Sequence, residues 1–168
     1  MANATADLHY FLHPRIAAII GVTDTPGRPG YSLFKKIRAK VEKEGGRVVP
    51  VNPKLKAVDG LRAYPSINAI PEPVDLAVIM VGDALSALKD CVAKKPHFVV
   101  IFTAGFAETG EHGAELQAQI AAIARDAGIR LFGPNTNLNA FEIFRDLPGG
   151  KVALITQSGH QGRPRRGS

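Results

Sequence analysis

Cysteine is almost missing from this sequence, with Cys91 the only one. A single thiol excludes an internal disulfide and a cysteine-rich metal site, and it suits a reducing cytoplasm. No apolar run approaches the ~20 residues that a membrane helix needs. Residues 1–12 include Asp7 and lack both a basic start and an apolar centre, so they do not read as a signal peptide. The Gly-x-Gly-x-x-Gly dinucleotide fingerprint is absent, and so is the Gly-x-Ser-x-Gly elbow of a serine nucleophile. Internal repeats and low-complexity stretches are missing too. What is left is the expectation of a soluble intracellular domain, outside the membrane and serine-hydrolase classes.

Acidic residues are scarce in one place only. The formal net charge is +6, but Arg163, Arg165 and Arg166 fall in a final stretch that holds no acid. Without them, 18 basic residues face 15 acidic ones. The body has no basic stripe interleaved with aromatics of the kind that grips nucleic acid. The expected partners therefore include no nucleic acid and no membrane.

What is present is an alternation of two periods. A length of 168 residues with 45% apolar content suits one domain with a sizeable core. Val- and Ile-rich runs recur at 16–22, 47–51, 75–81, 98–103, 129–132 and 152–156. Runs so nearly continuous are the mark of parallel strands buried on both faces. Between them, Leu33, Ile37 and Val41 share a helical face, as do Leu85, Leu88 and Val92, and then Leu116, Ile120, Ile123 and Ala127. Gly45-Gly46 and Gly128 stand where helices should stop. Residues 59–73 contain Pro65, Pro71 and Pro73, and should wander, with one short turn near Ser66, rather than form a crossover helix. The fold class that follows is α/β, a Rossmann-like doubly wound parallel sheet in a single domain.

In such a sheet the ligand crevice opens at the carboxyl ends of the strands, so the loops after the strands are where chemistry should sit. The first loop, residues 21–30, holds Gly21, Gly27 and Gly30 together with Arg28 and leads into a helix expected to start near Tyr31 or Ser32. Glycines admit a ligand close to the backbone, and a helix start offers unpaired N–H groups to an anion. A plain flexible connector is the competing reading, and position and composition favour phosphate binding. After the second strand come Asn52, Pro53 and Lys54, where NAD-binding domains carry an acid for the ribose hydroxyls. A neutral and then a cationic residue suit a phosphorylated ribose, which leaves coenzyme A and NADP open and disfavours NAD. Lys54 is otherwise an ordinary solvated loop lysine.

These segments, in order, resemble one family. Pro14-Arg15, Asp24-Thr-Pro-Gly-Arg-Pro-Gly-Tyr31, Val51-Asn-Pro-Lys54 and Tyr64-Pro-Ser66 are followed by the Pro-rich approach to the third long run. Then come Thr103-Ala-Gly-Phe-Ala-Glu108, Leu131-Phe-Gly-Pro-Asn135 and Val152-Ala-Leu-Ile-Thr-Gln-Ser-Gly159. Together they are similar to the coenzyme A-binding domain of NDP-forming acyl-CoA synthetases, in the succinyl-CoA synthetase α-subunit superfamily. The resemblance covers residues 11–160. It implies that coenzyme A or an acyl-CoA is surrounded by Gly21, Thr23, Pro26, Arg28 and Gly30 of the first loop and by Asn52 and Lys54 of the second. Val81 and Gly82 would face it from the next loop, and Thr103, Ala104, Gly105 and Phe106 from the one after. For the Phe106 side chain taken alone, packing on the core is the better reading.

The same resemblance divides the chain into an extension at 1–13, a coenzyme A-binding domain at 14–148, and at 149–168 the first strand and turn of a truncated second domain with a basic tail. It implies that phosphohistidine and ATP-grasp functions come from a partner subunit or domain, so this chain is not expected to catalyse acyl-CoA formation alone. Where the family often has Gly-Pro-Asn-Cys, this sequence has Thr136, so no cysteine role carries over. The rival readings are a stand-alone or regulatory coenzyme A-binding protein and an NADP-binding oxidoreductase domain.

No residue is assigned to catalysis or to a metal. His9 and His13 have i, i+4 spacing, but Pro14 and the terminal position argue against a helix presenting both, and the remaining ligands of a zinc site are missing. His97 and His112 read as structural, and His160 has no support as a phosphohistidine. Cys91 reads as a buried inert thiol. Glu108 and Glu111 read as solvated loop carboxylates.

Overall fold

A computed structural model describes residues 8–136. The element order is α1 His9–Leu12, β1 Ile16–Ile20, α2 Pro29–Lys43, β2 Arg47–Val51, β3 Ala57–Val58, β4 Leu61–Arg62, β5 Leu76–Ile79, α3 Ala84–Lys94, β6 Phe98–Ile101, α4 Glu111–Asp126 and β7 Arg130–Phe132. Five strands form one sheet in the order β2-β1-β5-β6-β7, every neighbouring pair parallel. The expected run at 152–156 lies outside the described residues, as do His160 and the arginines of the tail.

Alternation along each strand explains why helices cover both faces. Ala17, Ile19, Val48, Leu76, Val78, Phe98 and Val100 share one cluster with Phe34, Ile37 and Val41 of α2. Their neighbours Ala18, Val49, Ala77, Ile79, Val99 and Ile101 share the other with Leu88 and Cys91 of α3 and Ile120 and Ala124 of α4. Successive strand residues point to opposite faces, so a run apolar at every position needs cover on both. Each fully buried Leu, Ile or Phe contributes about 1.5–3 kcal/mol, which is what holds the layers together.

The chain leaves β1 for β2 on one side, then crosses back to β5 on β1's other side. Crossovers of one hand then put α2 on one face and α3 and α4 on the other. That reversal makes the space above the ends of β1 and β5 the topological switch point. Between β2 and β5 there is no crossover helix. Instead, a two-residue hairpin turn at Asp59 and Gly60 joins β3 to β4, and one 3-10 turn spans Ile67–Ala69.

Below the sheet, at the amino ends of the strands, Asp75 is 1% exposed and is answered fully. Its carboxylate accepts the backbone N–H of Arg15 at 2.9 Å and of Ile16 at 3.3 Å, and pairs with the Arg15 guanidinium at 3.3 Å. The Arg15 guanidinium is held above its ordinary value by that hydrogen bond. The packed unit also takes in Phe11, from the segment expected to precede the domain, which is buried against Phe98.

Candidate functional site

The site is built where β1 ends. Gly21 has φ +85°, and a Cβ there would lie 2.2 Å from Val81 Cγ1. Only glycine therefore lets the first loop turn off β1 hard against the end of β5. The loop then reaches α2, which starts two to three residues earlier than the Tyr31 or Ser32 that the sequence suggested, at Pro29 after an extended Arg28. Proline supplies its own helical φ and has no N–H to satisfy. No side chain caps this helix, so the amides of Gly30 and Tyr31 lack the acceptors that interior amides have. Gly30 lies beside Met80 and Thr23, which sets the open helix start over the switch point.

On the other side of Gly21 a cleft of about 470 Å³ runs between the end of β2 and α3. Its walls include Asn52, Lys54, Ser66, Val81 and Asp83. Asn52 is fully engaged: its side-chain amide donates to Val22 O at 2.8 Å, and its carbonyl oxygen accepts the Lys54 N–H at 2.8 Å. Its role in the structure is to tie the second loop to the first, and so to fix where Lys54 emerges. Among the described residues the Lys54 ammonium and the Arg28 guanidinium have no hydrogen-bond or ion-pair partner, and both are exposed.

The candidates named from the sequence thus fall into three groups. Gly21, Asn52, Lys54 and Val81 line the cleft itself. Thr23, Pro26, Arg28 and Gly30 form the adjoining loop and helix start, where Thr23 Oγ1 accepts the Thr25 N–H at 3.3 Å. Gly82, Ala104 and Gly105 are exposed at the next two loops, and Thr103 Oγ1 donates to Val81 O at 3.2 Å, tying those loops together. Phe106 is the exception. Its side chain is 1% exposed in the core, so the ring anchors its loop and only backbone atoms there can face a ligand.

Sequence reasoning overlooked part of the cleft wall. Pro65, Ser66 and Ile67 line it because Tyr64 pairs with Val51 and donates its N–H to Pro50 O at 2.9 Å. Ser86 and Asp90 of α3 line it as well. The one signal available was Pro65, which holds the preceding residue extended.

Two of the groups weighed for reactivity have clear surroundings, Cys91 in the core and Glu108 bonded within its own loop. Burial pushes the Cys91 thiol up to about 12. Glu108 is held below the ordinary carboxylate range by the Gly105 N–H, which its carboxylate accepts at 2.8 Å, so it staples a loop rather than standing free. Two histidine readings need correction. His112 has no structural packing, because its side chain is 98% exposed. A short helix does carry His9 up to His13, with ring centroids 5.5 Å apart, because burial of Phe11 holds that turn in place. His13 nonetheless uses Nδ1 on Glu44 at 3.0 Å, and no group of three metal-ligating side chains occurs among the described residues.

An open doubly wound sheet, a glycine-gated switch point, an uncapped helix start and two unpaired cations define an α/β domain for an anionic, nucleotide-like ligand. Comparison with known proteins sharpens the class: the CoA binding domain family matches residues 15–141, and the chain belongs to that family. It is 41% identical over 165 residues to the ADP-forming acetate–CoA ligase II subunit alpha of Pyrococcus furiosus, covering 92% of this chain and 35% of that one. It is 34% identical to the ADP-forming acetate–CoA ligase II of Archaeoglobus fulgidus, covering 91% of this chain and 24% of that one. The solved dinucleotide-forming acetyl-coenzyme A synthetase 1 of Ca. Korarchaeum cryptofilum, in complex with phosphate and ADP, superposes with a TM-score of 0.71 at 32% identity. That match covers 78% of this chain and 28% of the other. The chain therefore spans about a third or less of these relatives.

Proposed function

We propose that this chain binds coenzyme A, free or acylated, across the strand ends at the switch point. It would act as the coenzyme A-holding part of an NDP-forming acid–CoA ligase. One observation carries the reading: the uncapped start of α2 lies over the switch point, with the unpaired cations Arg28 and Lys54 on the loops around it. Coenzyme A offers a pyrophosphate and a separate 3′-phosphate, and that charge pattern suits a helix start plus a lysine set apart from it. The pyrophosphate would lie on the α2 amides near Gly30, with Arg28 beside it. The 3′-phosphate would meet Lys54, and the pantetheine arm would pass Gly82 and the backbone of Thr103, Ala104 and Gly105. The cleft wall contributed by Pro65, Ile67 and Val81 is apolar enough to take the adenine.

In this reading the protein's contribution to catalysis is to hold the thiol where an acyl phosphate can reach it. Phosphohistidine and nucleotide chemistry would come from another domain or a partner subunit, in the cytoplasm. Calorimetric titration with coenzyme A, NAD and NADP in parallel tests the assignment. Saturable binding of coenzyme A alone is expected, and binding of NADP without coenzyme A would replace it with an oxidoreductase reading.

A further inference from the structure

We propose that Asp59 is a positioning residue: it fixes the Lys54 loop relative to the first turns of α2, so that two separated anionic groups of one ligand are held at once. The inference rests on the function proposed above and adds a residue to that site. Asp59 sits at the tip of the β3–β4 hairpin with φ +49°, followed by Gly60 at +78°. Its carboxylate accepts the Tyr31 hydroxyl at 3.0 Å, the Lys35 ammonium at 2.7 Å and the Arg38 guanidinium at 2.7 Å. Arg38 also donates to the Asp59 backbone carbonyl at 2.9 Å. The Lys35 and Tyr31 hydrogen bonds hold this carboxyl below its ordinary range, so it is charged at neutral pH.

All three partners lie on α2, and Tyr31 is in the first turn, next to the open amides. The hairpin itself is the continuation of the Asn52–Lys54 loop. That loop is therefore tied twice, by Asn52 to Val22 at its base and by Asp59 to α2 at its tip. Lys54 lies between the two ties. Burial of Val58, at 1% exposure beside α2, keeps the hairpin attached whether or not the carboxylate is charged. The polar cluster is thus free to set register rather than to supply the bulk of the adhesion. Asn tolerates positive φ, so Asp59→Asn removes the charge without straining the turn.

The test uses the whole chain with Asp59→Asn and, separately, Tyr31→Phe. In the ligand-free protein, hydrogen–deuterium exchange should speed up at residues 30–36 and 52–58 while the sheet strands stay as protected as before. Unchanged exchange at both segments overturns the proposal, whatever the ligand proves to be. In titrations, the preference for coenzyme A over dephospho-coenzyme A should shrink about three- to tenfold in Asp59→Asn. It should not shrink further when Asp59→Asn is added to Lys54→Ala. Equal losses for both ligands would make Asp59 merely structural and overturn the inference. If the unaltered protein bound neither ligand, the proposed function would fall and the exchange result alone would decide on the clamp. Should Asp59→Asn fail to fold, Tyr31→Phe carries the same measurements, because it deletes only the link to the first turn.

Discussion

Three helices start at the carboxyl edge of the sheet, and two of them, α2 and α3, start in opposite ways. Helix α2 follows Arg28 and Pro29 and has no capping side chain. Helix α3 follows Asp83, whose carboxylate accepts the Ser86 N–H at 3.0 Å and closes that helix end with a negative charge. Both ends carry the same partial positive charge from their aligned peptides, about half an elementary charge. Of this pair only α2 is open to an outside anion; α4 has no capping side chain either, but it carries the acidic Glu111 in its first turn. The cap on α3 stabilises the fold, and its absence on α2 leaves amide groups that an anion can take. Asymmetry of this kind locates an anion site better than the mere presence of glycine does, since both loops hold one, Gly82 before α3 and Gly21 and Gly27 before α2.

The sharpest test lies on the loop after β2, set apart from the α2 start, at Lys54. A charge-assisted contact to phosphate is worth on the order of 1.5–3 kcal/mol. Lys54→Ala should therefore weaken coenzyme A binding roughly ten- to a hundredfold, at about 1.4 kcal/mol per tenfold. Dephospho-coenzyme A should be scarcely affected, because the contacted group is missing. Salt screens exposed charge, so titrations at low and fixed ionic strength are needed. Equal losses for the two ligands would move Lys54 to another part of the ligand. No loss at all would make it an ordinary solvated lysine.

The next test exchanges the two helix starts. Arg28→Asp supplies α2 with a cap and should raise stability by about 1 kcal/mol, yet it should weaken coenzyme A binding by placing an anion where the pyrophosphate belongs. Asp83→Ala removes the cap of α3 and should lower stability by roughly 0.5–2 kcal/mol while leaving affinity intact or slightly improved. Stability and affinity therefore move in opposite directions at the first position. Denaturant melts and titrations on the same samples read both quantities. If Arg28→Asp stabilised the protein and bound coenzyme A as well as before, the start of α2 would not be the anion site.

Much of this layout could be read from sequence, and the failures have physical causes. All five described runs became strands, and residues 47–51 matched β2 to the residue. The others ran too long, because apolar character outlasts pairing: Val22 is wholly buried beyond the end of β1, and Thr103 lies past the end of β6. In α3 only Leu88 of the expected stripe is fully buried, Leu85 and Val92 lying at the flank of a centre made by Ala84, Ala87, Leu88 and Cys91. Small residues let that helix lie close to the sheet, and a search for bulky apolar spacing passes over them. Asn52 was legible as a position but not as a tie, since its partner belongs to another loop. The Asp59 cluster was invisible for the same reason: its partners lie 21 to 28 residues away, across a hairpin that no periodicity announced.

The smallest effect concerns Glu108, the loop carboxylate that accepts the Gly105 N–H. Hydrogen bonds from Gly105 and from its own backbone hold its folded-state value below the ordinary one. A carboxylate stabilised this way binds its proton less readily in the folded chain than in the unfolded one. Its contribution to stability is therefore complete above the unfolded value, near the ordinary glutamate range of about 4.3, and is lost as pH falls through the depressed folded value. Glu108→Gln keeps an oxygen for the Gly105 N–H but never carries charge. The unaltered protein should exceed this variant slightly in stability at pH 7, and the gap should close as the solution is acidified toward the folded value. Comparing the two by difference cancels the acid sensitivity of Asp59, which they share. The effect stays small because Glu108 is exposed and water competes for its charge. A gap that persisted unchanged in acid would show that the loop is held by shape and hydrogen bonding alone, with the charge irrelevant.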